Sequence, residues 1–254
     1  MKSIAVFDDN YPVKTIVSSK EDWENNTKWQ DIDSRNNIIK NYINAPIKRV
    51  VYANETHSGN VMSVSENDQY DKIEKIHEPY IIKQPGGYDA IITERTGIFI
   101  CVRTADCVPL FVYDTFNHVA AIVHCGWRSI CSKIVANTIG SMKKCYGTKP
   151  QHLVTAFGPA ICKDCYEVGD ELIHYFAQEF SPNVIDEIFK PKEGGKYLLD
   201  LRRAIVIELV NLGVIPSNIC DTSDCSYESN KYASYRRDGR NMLYRETLSG
   251  IVLL

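Results

Sequence analysis

Long hydrophobic runs are missing from this sequence of 254 residues. Its start, MKSIAVFDDN, has a four-residue apolar run before two aspartates, which is too short for the hydrophobic region of a signal peptide. No later stretch approaches the length that a membrane span requires. We therefore expect a cytoplasmic protein that does not enter a membrane.

An excess of positive charge is also missing. The formal net charge is -3, so no general basic field is available to attract nucleic acid or an anionic membrane. Low-complexity tracts, internal repeats and linkers are absent, and hydrophobic residues make up 44% of the chain. This composition is ordinary for a protein with a sizeable core, and residues 1–254 are long for one domain and short for two.

Cysteine is abundant, with nine residues. In a reducing compartment these are expected to be thiols, buried residues or metal ligands rather than disulfides. Three that lie within apolar patterns are interpreted as core residues: Cys101, Cys131 and Cys145. Four others form a CxxC and a C-x4-C pair, which could build a closed structural zinc site: Cys162, Cys165, Cys220 and Cys225. A redox CxxC is disfavoured, because CKDC follows GPAI rather than a strand-to-helix turn.

Helical and strand patterns alternate without strict βαβ order, which predicts the α+β (mixed α/β) class. The predicted strands are SIAVF (3–7), RVVYAN (49–54), YDAIIT (88–93), GIFICV (97–102), VPLFVYD (108–114), HVAAIVH (118–124) and LVTAF (153–157). The predicted helices are 33–43, about 130–146, about 168–180 and 199–213, the last with Asp200 as N-cap and Gly213 at its end.

A β-hairpin is predicted from VPLFVYD and HVAAIVH, with DTFN as the loop. In this register Cys107 lies opposite His124. If the loop slips by one residue at each end, the two remain on the same face as diagonal neighbours, since side chains alternate with period two.

Three side chains at predicted strand ends are candidate metal ligands. His57 follows RVVYAN, Cys107 precedes VPLFVYD and His124 ends HVAAIVH. Two imidazoles and one thiolate suit a catalytic zinc that keeps its fourth position for water, although the thiolate also admits copper. Asp106 could orient a ligand or that water, so the candidate catalytic residues are Cys107, His124 and Asp106.

Two basic stretches could contact anions. A helix that begins near Ser129 would present free N–H groups close to His124, with Arg128 as a clamp for phosphate or a carboxylate. In the alternative reading Gly126 permits a tight turn, Trp127 packs and Arg128 caps a carbonyl. The run SYRRDGR (234–240) is either a solvated strand end or an anion contact.

The chain resembles the YfiH family, which is also called the laccase-domain or FAMIN-like family. The resemblance runs from about residue 34 to the C-terminus and is carried by an ordered set of motifs: THSGNV, GYDAIIT, TADCVPL, VHCGWR, GPAI…CYEVG, LDLRRA, LGV and SYRR. It implies a single domain of layered β-sheets flanked by helices. It also implies a zinc ion held by His57, Cys107 and His124.

The resemblance implies phosphorolysis of purine nucleosides, including adenosine, inosine and methylthioadenosine, and deamination of adenosine. Nucleoside and phosphate would be the partners, and Arg35 would be a substrate or phosphate contact. An older name for the family, copper-dependent polyphenol oxidase, suits this chain poorly. Several coppers need many histidines, whereas the chain has six, and four of them show no paired H-x-H pattern: His77, His118, His152 and His174.

Two other classes of function stay open on the sequence alone. Cys107 as nucleophile and His124 as base would make a cysteine hydrolase or amidase, in keeping with the cell-wall precursor editing to which relatives have been linked. A metal-binding or partner-binding module without turnover is the third class. The response to a chelator and to a thiol alkylator separates the two enzymes.

Overall fold

Apolar residues fill the strands of this protein because most strands are covered on both faces. The computed structural model describes residues 1–24, 39, 42–43, 45–64, 87–239 and 246–254. In chain order, the helices and strands of these residues are α1 (Ala5–Asp8), β1 (Val13–Val17), α2 (Glu21–Glu24), β2 (Arg49–Tyr52), β3 (Val61–Val64), β4 (Ala90–Thr93), β5 (Ile98–Thr104), β6 (Val108–Asp114), β7 (Val119–Cys125), α3 (Trp127–Cys131), α4 (Ile134–Tyr146), β8 (Leu153–Phe157), β9 (Glu167–Gly169), α5 (Glu171–Phe176), α6 (Pro182–Ile188), β10 (Phe189–Pro191), β11 (Lys196–Leu199), α7 (Leu201–Asn211), β12 (Ile219–Cys220), α8 (Tyr235–Asp238) and β13 (Thr247–Leu253).

The fold is mixed α/β, as the sequence predicts, and is built in layers. A six-stranded sheet has the order β12-β8-β6-β7-β4-β3, a four-stranded sheet has the order β1-β13-β5-β2, and a small third sheet has the order β10-β11-β9. In the described part of the chain, no helix combines the length and apolar character needed to cross a membrane.

The two larger sheets pack face to face. Ile100 and Ile251 of the four-stranded sheet join Phe111 and Ile122 of the six-stranded sheet in one buried cluster. Each of these four side chains is fully buried, and burial of a side chain of this size contributes about 1.5–3 kcal/mol. This sandwich fixes the central sheet from one side.

Helices cover the opposite face of the six-stranded sheet. Val123 of β7 shares a buried cluster with Ile134 and Ile139 of α4 and with Leu209 of α7. The side of helix α4 that packs on the sheet is therefore the apolar side that the sequence predicts. With both faces covered, β6 and β7 have no exposed residue.

The edge of the central sheet brings together chain segments that are far apart in sequence. Strand β7 is antiparallel to both β6 and β4. The end of β7 therefore lies at the same edge as the beginnings of β4 and β6. The connection after β2 reaches this edge as it crosses from the four-stranded sheet to β3 of the six-stranded sheet.

The predicted hairpin is confirmed in its slipped register. Asp114 pairs with Val119 and Pro109 pairs with His124, so the loop covers residues 115–118 rather than 114–117. Two backbone N–H groups of the loop donate to the Asp114 carboxylate, and His118 closes the turn at φ 54°. Cys107 and His124 are consequently diagonal neighbours.

Three predicted elements differ from the structure. Residues 3–7 do not form a strand, because Phe7 turns inward on helix α1 and Asp8 accepts hydrogen bonds from Thr15 of β1. The helix predicted over 130–146 is divided into α3 and α4 by Lys133, which has φ 61°. The helix predicted from Val168 begins only at α5, since residues 167–169 pair with β11.

The predicted N-cap and terminating glycine of helix α7 are both found in the structure. Asp200 caps α7 by accepting a hydrogen bond from the backbone N–H of Arg203 at 2.9 Å, and Gly213 has φ 97° beyond the end of that helix. The helix predicted over 33–43 lies largely outside the described residues.

Candidate metal centre

His57 lies in the connection after β2, and its backbone is held by a buried carboxylate. Asp89 accepts hydrogen bonds from the backbone N–H groups of His57 at 3.0 Å and Ser58 at 2.6 Å. The Ser58 hydroxyl donates to the same carboxylate at 2.7 Å. His57 itself has φ 58°, a conformation that is uncommon outside glycine. These bonds hold the imidazole of His57 at the sheet edge.

His124 is the second imidazole, and the same carboxylate orients it. Its Nδ1 lies 2.7 Å from Asp89 Oδ1, and its backbone N–H donates to the Asp89 carbonyl at 2.6 Å. With Nδ1 bound to the carboxylate, Nε2 is the ring nitrogen left for a metal ion. The two rings are 4.9 Å apart at an interplanar angle of 76°.

Cys107 completes the group from the residue before β6. Its Sγ lies 3.8 Å from His57 Nε2. One ligand atom from each of His57, Cys107 and His124 can be chosen so that all three atoms lie within 4.8 Å of one another. The structure therefore brings together the three residues that the sequence predicts as ligands.

Gly126 makes room for this group. A Cβ atom at this position would lie 2.8 Å from His57 Cδ2 and 2.9 Å from Cys107 Sγ. The backbone of Gly126 is extended, with φ -82°, so the residue is needed here for space rather than for its conformational freedom. Gly126, the residue that follows strand β7, is thus part of the centre.

The electrostatics of the group favour an ionised thiol. Burial raises the pKa of Cys107, but the charge of His124 and hydrogen bonds from both histidines outweigh burial and lower the pKa to about 7. Burial lowers the pKa of His124, but the charge of Cys107 and the hydrogen bond with Asp89 outweigh burial, so the pKa is raised overall. Against the cost of burial, hydrogen bonds from His124 and Ser58 lower the pKa of Asp89 to about 2. A thiolate is the form that binds a metal or attacks as a nucleophile.

Asp89 is the residue that the sequence analysis misses. It is fully buried, and its carboxylate bonds both the ring of His124 and the backbone of His57. The sequence points to Asp106 as a residue that could orient a ligand or a bound water. The Asp106 carboxylate instead accepts hydrogen bonds from the Ser226 hydroxyl and the Arg236 backbone N–H, each at 2.7 Å. The available signal is the single charged residue that opens the apolar strand YDAIIT.

Two guanidinium groups lie near the centre. Exposed Arg128 stacks on Trp127 at 4.1 Å from the ring centroid, and Arg236 lies 5.2 Å from the ring of Tyr166. Burial is the main cause that raises the pKa of Tyr166 to about 12; Cys107 raises it further, while Arg236 and Arg128 lower it. Cys107 and both arginines therefore all influence the charge state of Tyr166.

Three further predictions concern Trp127, the helix after Gly126 and Arg35. Trp127 packs against Tyr175 at 5.3 Å between ring centroids, as the alternative reading of that stretch expects. Helix α3, which follows Gly126, has five residues. Arg35 lies outside the described residues.

The donor set fits a metal ion. Two neutral imidazole nitrogens and one thiolate are the ligands that zinc and related metals take, with a fourth position left open in catalytic sites. The carboxylate behind His124 is the partner that a metal-bound histidine commonly has. A single metal ion could be held here, and its identity is not fixed by the donors alone.

The chain is similar to a known family over most of its length. The model of the family described as "Multi-copper polyphenol oxidoreductase laccase" matches residues 20–245. A crystal structure of the hypothetical protein YfiH from Bacillus licheniformis has a TM-score of 0.79 at 24% identity, covering 95% of this chain and 93% of that one. A crystal structure of YlmD from Geobacillus stearothermophilus has the same TM-score at 20% identity, with 95% and 92% covered. The fold is therefore shared.

Relatives with assigned activities are also similar in sequence. An adenosine deaminase called RL5, from an unknown prokaryotic organism, is 37% identical over 61% of this chain and 59% of its own length. A purine nucleoside phosphorylase of Bacteroides thetaiotaomicron is 33% identical over 66% and 61%. Another, of Clostridium acetobutylicum, is 34% identical over 80% and 76%. The matched part of the chain thus spans about three fifths of the first two relatives.

Proposed function

Since the chain belongs to the family described as multi-copper polyphenol oxidoreductase laccase, we propose that it is a zinc-dependent enzyme acting on purine nucleosides. The reactions proposed are phosphorolysis of adenosine, inosine or methylthioadenosine and deamination of adenosine. The observation that carries the proposal is the group of His57, Cys107 and His124, whose ligand atoms lie within 4.8 Å of one another. The names of the similar proteins, adenosine deaminase and purine nucleoside phosphorylase, support the substrate class.

The metal site has three protein donors and room for one more ligand. Zinc bound there would supply positive charge that polarises a substrate oxygen or activates a water. Asp89 keeps His124 in the tautomer that exposes Nε2, and its bonds to the loop of His57 fix the second imidazole. Copper is the alternative metal, because a thiolate also suits it.

Phosphorolysis requires that an anion be held beside the ribose. In this reaction a phosphate oxygen forms a bond to C1′, the N-glycosidic bond breaks, and the purine leaves and takes up a proton. Arg128 and Arg236 supply the positive charge for phosphate on the face of Cys107, and charge-assisted bonds from guanidinium groups are strong. Arg35, which the family resemblance suggests, is proposed as a further contact.

Deamination requires water instead of phosphate. The oxygen of water adds to C6 of the purine ring, and the bond from C6 to the amino group breaks as ammonia leaves with the proton it needs. Phosphate dependence therefore distinguishes the two reactions.

A chromatographic assay with adenosine tests the proposal. The purified, zinc-loaded protein is incubated with adenosine with and without phosphate, beside Cys107→Ala and the control Cys145→Ala, which changes an exposed cysteine. We expect adenine that depends on phosphate, or inosine that does not, from the wild type and Cys145→Ala alone. Inosine and methylthioadenosine are incubated in the same way. If all three nucleosides stay unchanged in every sample, the proposed function is wrong.

A second candidate function is a Cys-His hydrolase or amidase acting on cell-wall precursors. The observation that favours it is the lowered pKa of Cys107, which burial opposes and the neighbouring His124 brings about. Such an enzyme keeps its activity after treatment with a chelator and loses it with iodoacetamide. A zinc enzyme loses activity with the chelator and recovers it when zinc returns.

The copper oxidase reading is not supported by the histidines. Among the described residues, the two groups that could hold a metal ion contain two histidines together, His57 and His124. His118 lies 2.8 Å from the Tyr113 hydroxyl, and His152 packs against the ring of Phe116. Several copper ions would need more histidine ligands than these positions offer.

A further inference from the structure

A second cluster of potential ligands lies outside the centre described above. It consists of Cys162, Cys165, Cys225 and Glu228, and one ligand atom from each lies within 4.8 Å of all the others. The CxxC of the sequence is therefore met by Cys225 and a glutamate. Cys220, the fourth residue of the predicted closed site, lies instead on β12, where it pairs with Ala156 of β8.

The backbone builds the first half of the cluster as a tight turn. The N–H groups of Cys165 and Tyr166 both donate to the Cys162 carbonyl, each at 3.1 Å. This turn brings the thiols of Cys162 and Cys165 onto the same side. A CxxC turn of this kind is a usual half of a zinc site.

The second half is positioned by pairing between two loops. Cys225 forms an isolated parallel bridge with Ala160. The N–H of Ser226 donates to the Ala160 carbonyl at 3.0 Å, and the N–H of Ala160 donates to the Asp224 carbonyl at 3.2 Å. These bonds place Cys225 beside the CxxC turn, although the two are separated by 60 residues in the sequence.

The sulfur of Cys225 has a polar environment despite its burial. The backbone N–H of Cys162 donates to Cys225 Sγ at 3.3 Å. Cys165 Sγ lies 3.5 Å from Glu228 Oε1. Among the described residues, Glu228 forms no ion pair. Within the described part of the chain, the carboxylate is therefore grouped with three sulfurs rather than with a lysine or arginine.

Packing alone does not account for this arrangement. Cys225 is buried and Cys165 borders the apolar core, but Cys162 is only partly buried and Glu228 is exposed, so burial of apolar surface does not explain the whole group. Three sulfurs and one carboxylate fill four positions around one point, which is the donor number that structural zinc sites use.

We propose that Cys162, Cys165, Cys225 and Glu228 hold a second divalent metal ion of the zinc class. The site is closed, with four protein ligands, and its role is structural. It ties the loop after β8 to the loop before α8.

These two loops also hold the segment that precedes Cys107. The N–H of Ile161 donates to the Asp106 carbonyl at 3.0 Å, and the Ser226 hydroxyl donates to the Asp106 carboxylate at 2.7 Å. Ile161 and Ser226 are the direct neighbours of Cys162 and Cys225. A metal ion in the second cluster therefore fixes the loops on which the position of Cys107 depends.

Counting bound metal tests this proposal. Wild-type protein purified under reducing conditions and loaded with zinc should bind about two ions per chain, and Cys107→Ala and Cys225→Ser should each bind about one. The matched control Cys220→Ser should keep about two. One ion per chain in the wild type, unchanged in Cys225→Ser, would overturn the proposal.

Cobalt(II) provides a second measurement that counts thiolate ligands. The near-ultraviolet charge-transfer absorption of cobalt-thiolate bonds should persist in Cys107→Ala and arise from three thiolates. It should weaken in Cys165→Ser, which removes one thiolate, whereas Glu228→Gln keeps all three thiolates and should instead lower the affinity for cobalt. Cys165 is partly buried and Glu228 is exposed, so both can be replaced without loss of the core. A cobalt spectrum of Cys107→Ala without thiolate charge transfer would contradict the site.

Discussion

Gly126 illustrates how one residue can decide whether the metal centre forms. We expect Gly126→Ala to lower zinc affinity, because the added Cβ would meet both His57 and Cys107 at less than 3.0 Å. The backbone of Gly126 is extended, with φ -82°, so alanine is tolerated there and the fold should persist. Zinc titration and circular dichroism of the metal-free protein would measure the two effects separately.

Gly140 is the control for this substitution. It lies within α4, where a Cβ would meet nothing within 4 Å. Gly140→Ala should leave zinc affinity unchanged and stabilise the helix by about 0.5–1 kcal/mol. Equal zinc affinity in wild type, Gly126→Ala and Gly140→Ala would contradict the proposed ligand geometry.

Asp89 is the carboxylate on which both histidines depend. We expect Asp89→Asn to lower zinc affinity about 10- to 100-fold, as loss of a carboxylate behind a metal-bound histidine commonly does. Asp186→Asn is the matched variant, because Asp186 is an exposed aspartate on α6, away from the candidate ligands. Competition with a chelator of known affinity measures both. Similar losses in the two variants would show that Asp89 has no special role.

The different roles of Asp89 and Asp106 show what the sequence could not provide. The ligand types were readable, since His57, Cys107 and His124 each stand beside an apolar strand pattern. The sequence suggests Asp106 as the orienting carboxylate because it is adjacent to Cys107 in the chain. Asp89 is 35 residues from His124, and only the antiparallel pairing of β4 with β7 brings them together.

At the scale of secondary structure, Glu208 couples helix α7 to the beginning of α4. Its Oε1 accepts a hydrogen bond from the backbone N–H of Ala136 at 3.1 Å. Burial is the main cause that raises the pKa of Glu208 to about 7. The folded state therefore favours the protonated acid. The free energy of unfolding falls as the pH rises from the ordinary glutamate pKa of 4.5 through about 7, because the unfolded chain then loses the proton more readily than the folded one.

Glu208→Gln tests this coupling, because glutamine keeps an acceptor and removes the charge. We expect the variant to gain stability over the wild type as the pH rises, by about 2 kcal/mol between pH 5 and pH 8. Urea unfolding at both pH values measures the gain. The exposed Glu193→Gln should follow the wild type at both. A constant difference between Glu208→Gln and wild type would contradict the expected titration.

Elements with a strong period were predictable, and their ends were not. The apolar patterns predict strand β8 and helix α7 with its Asp200 cap, since the buried residues of both are mostly apolar. The hairpin was predictable, but its register was not, because the Asp114 carboxylate selects the loop by binding two of its N–H groups. The break at Lys133 and the pairing of β9 depend on tertiary contacts that no local pattern encodes.

At the scale of the whole molecule, the metal centre joins the two large sheets. His57 follows a strand of the four-stranded sheet, whereas Cys107 directly precedes β6 and His124 lies in β7 of the six-stranded sheet. An ion held by all three therefore connects layers that otherwise meet through apolar packing. The second cluster has an equivalent place at the loops beside Cys107, so both sites act on one edge of the central sheet.

This arrangement predicts that zinc raises the thermal stability of the whole fold. An ion bound only by the folded state at about 100 times its dissociation constant adds about 2.7 kcal/mol, which for a chain of this size raises Tm by roughly 5–10 °C. The increment should grow with zinc concentration and vanish with excess chelator. Cys107→Ala should lose the share that belongs to the first centre while it keeps the share of the second. Scanning calorimetry at several zinc concentrations measures these shares. An equal rise in wild type and Cys107→Ala would mean that His57, Cys107 and His124 do not bind zinc.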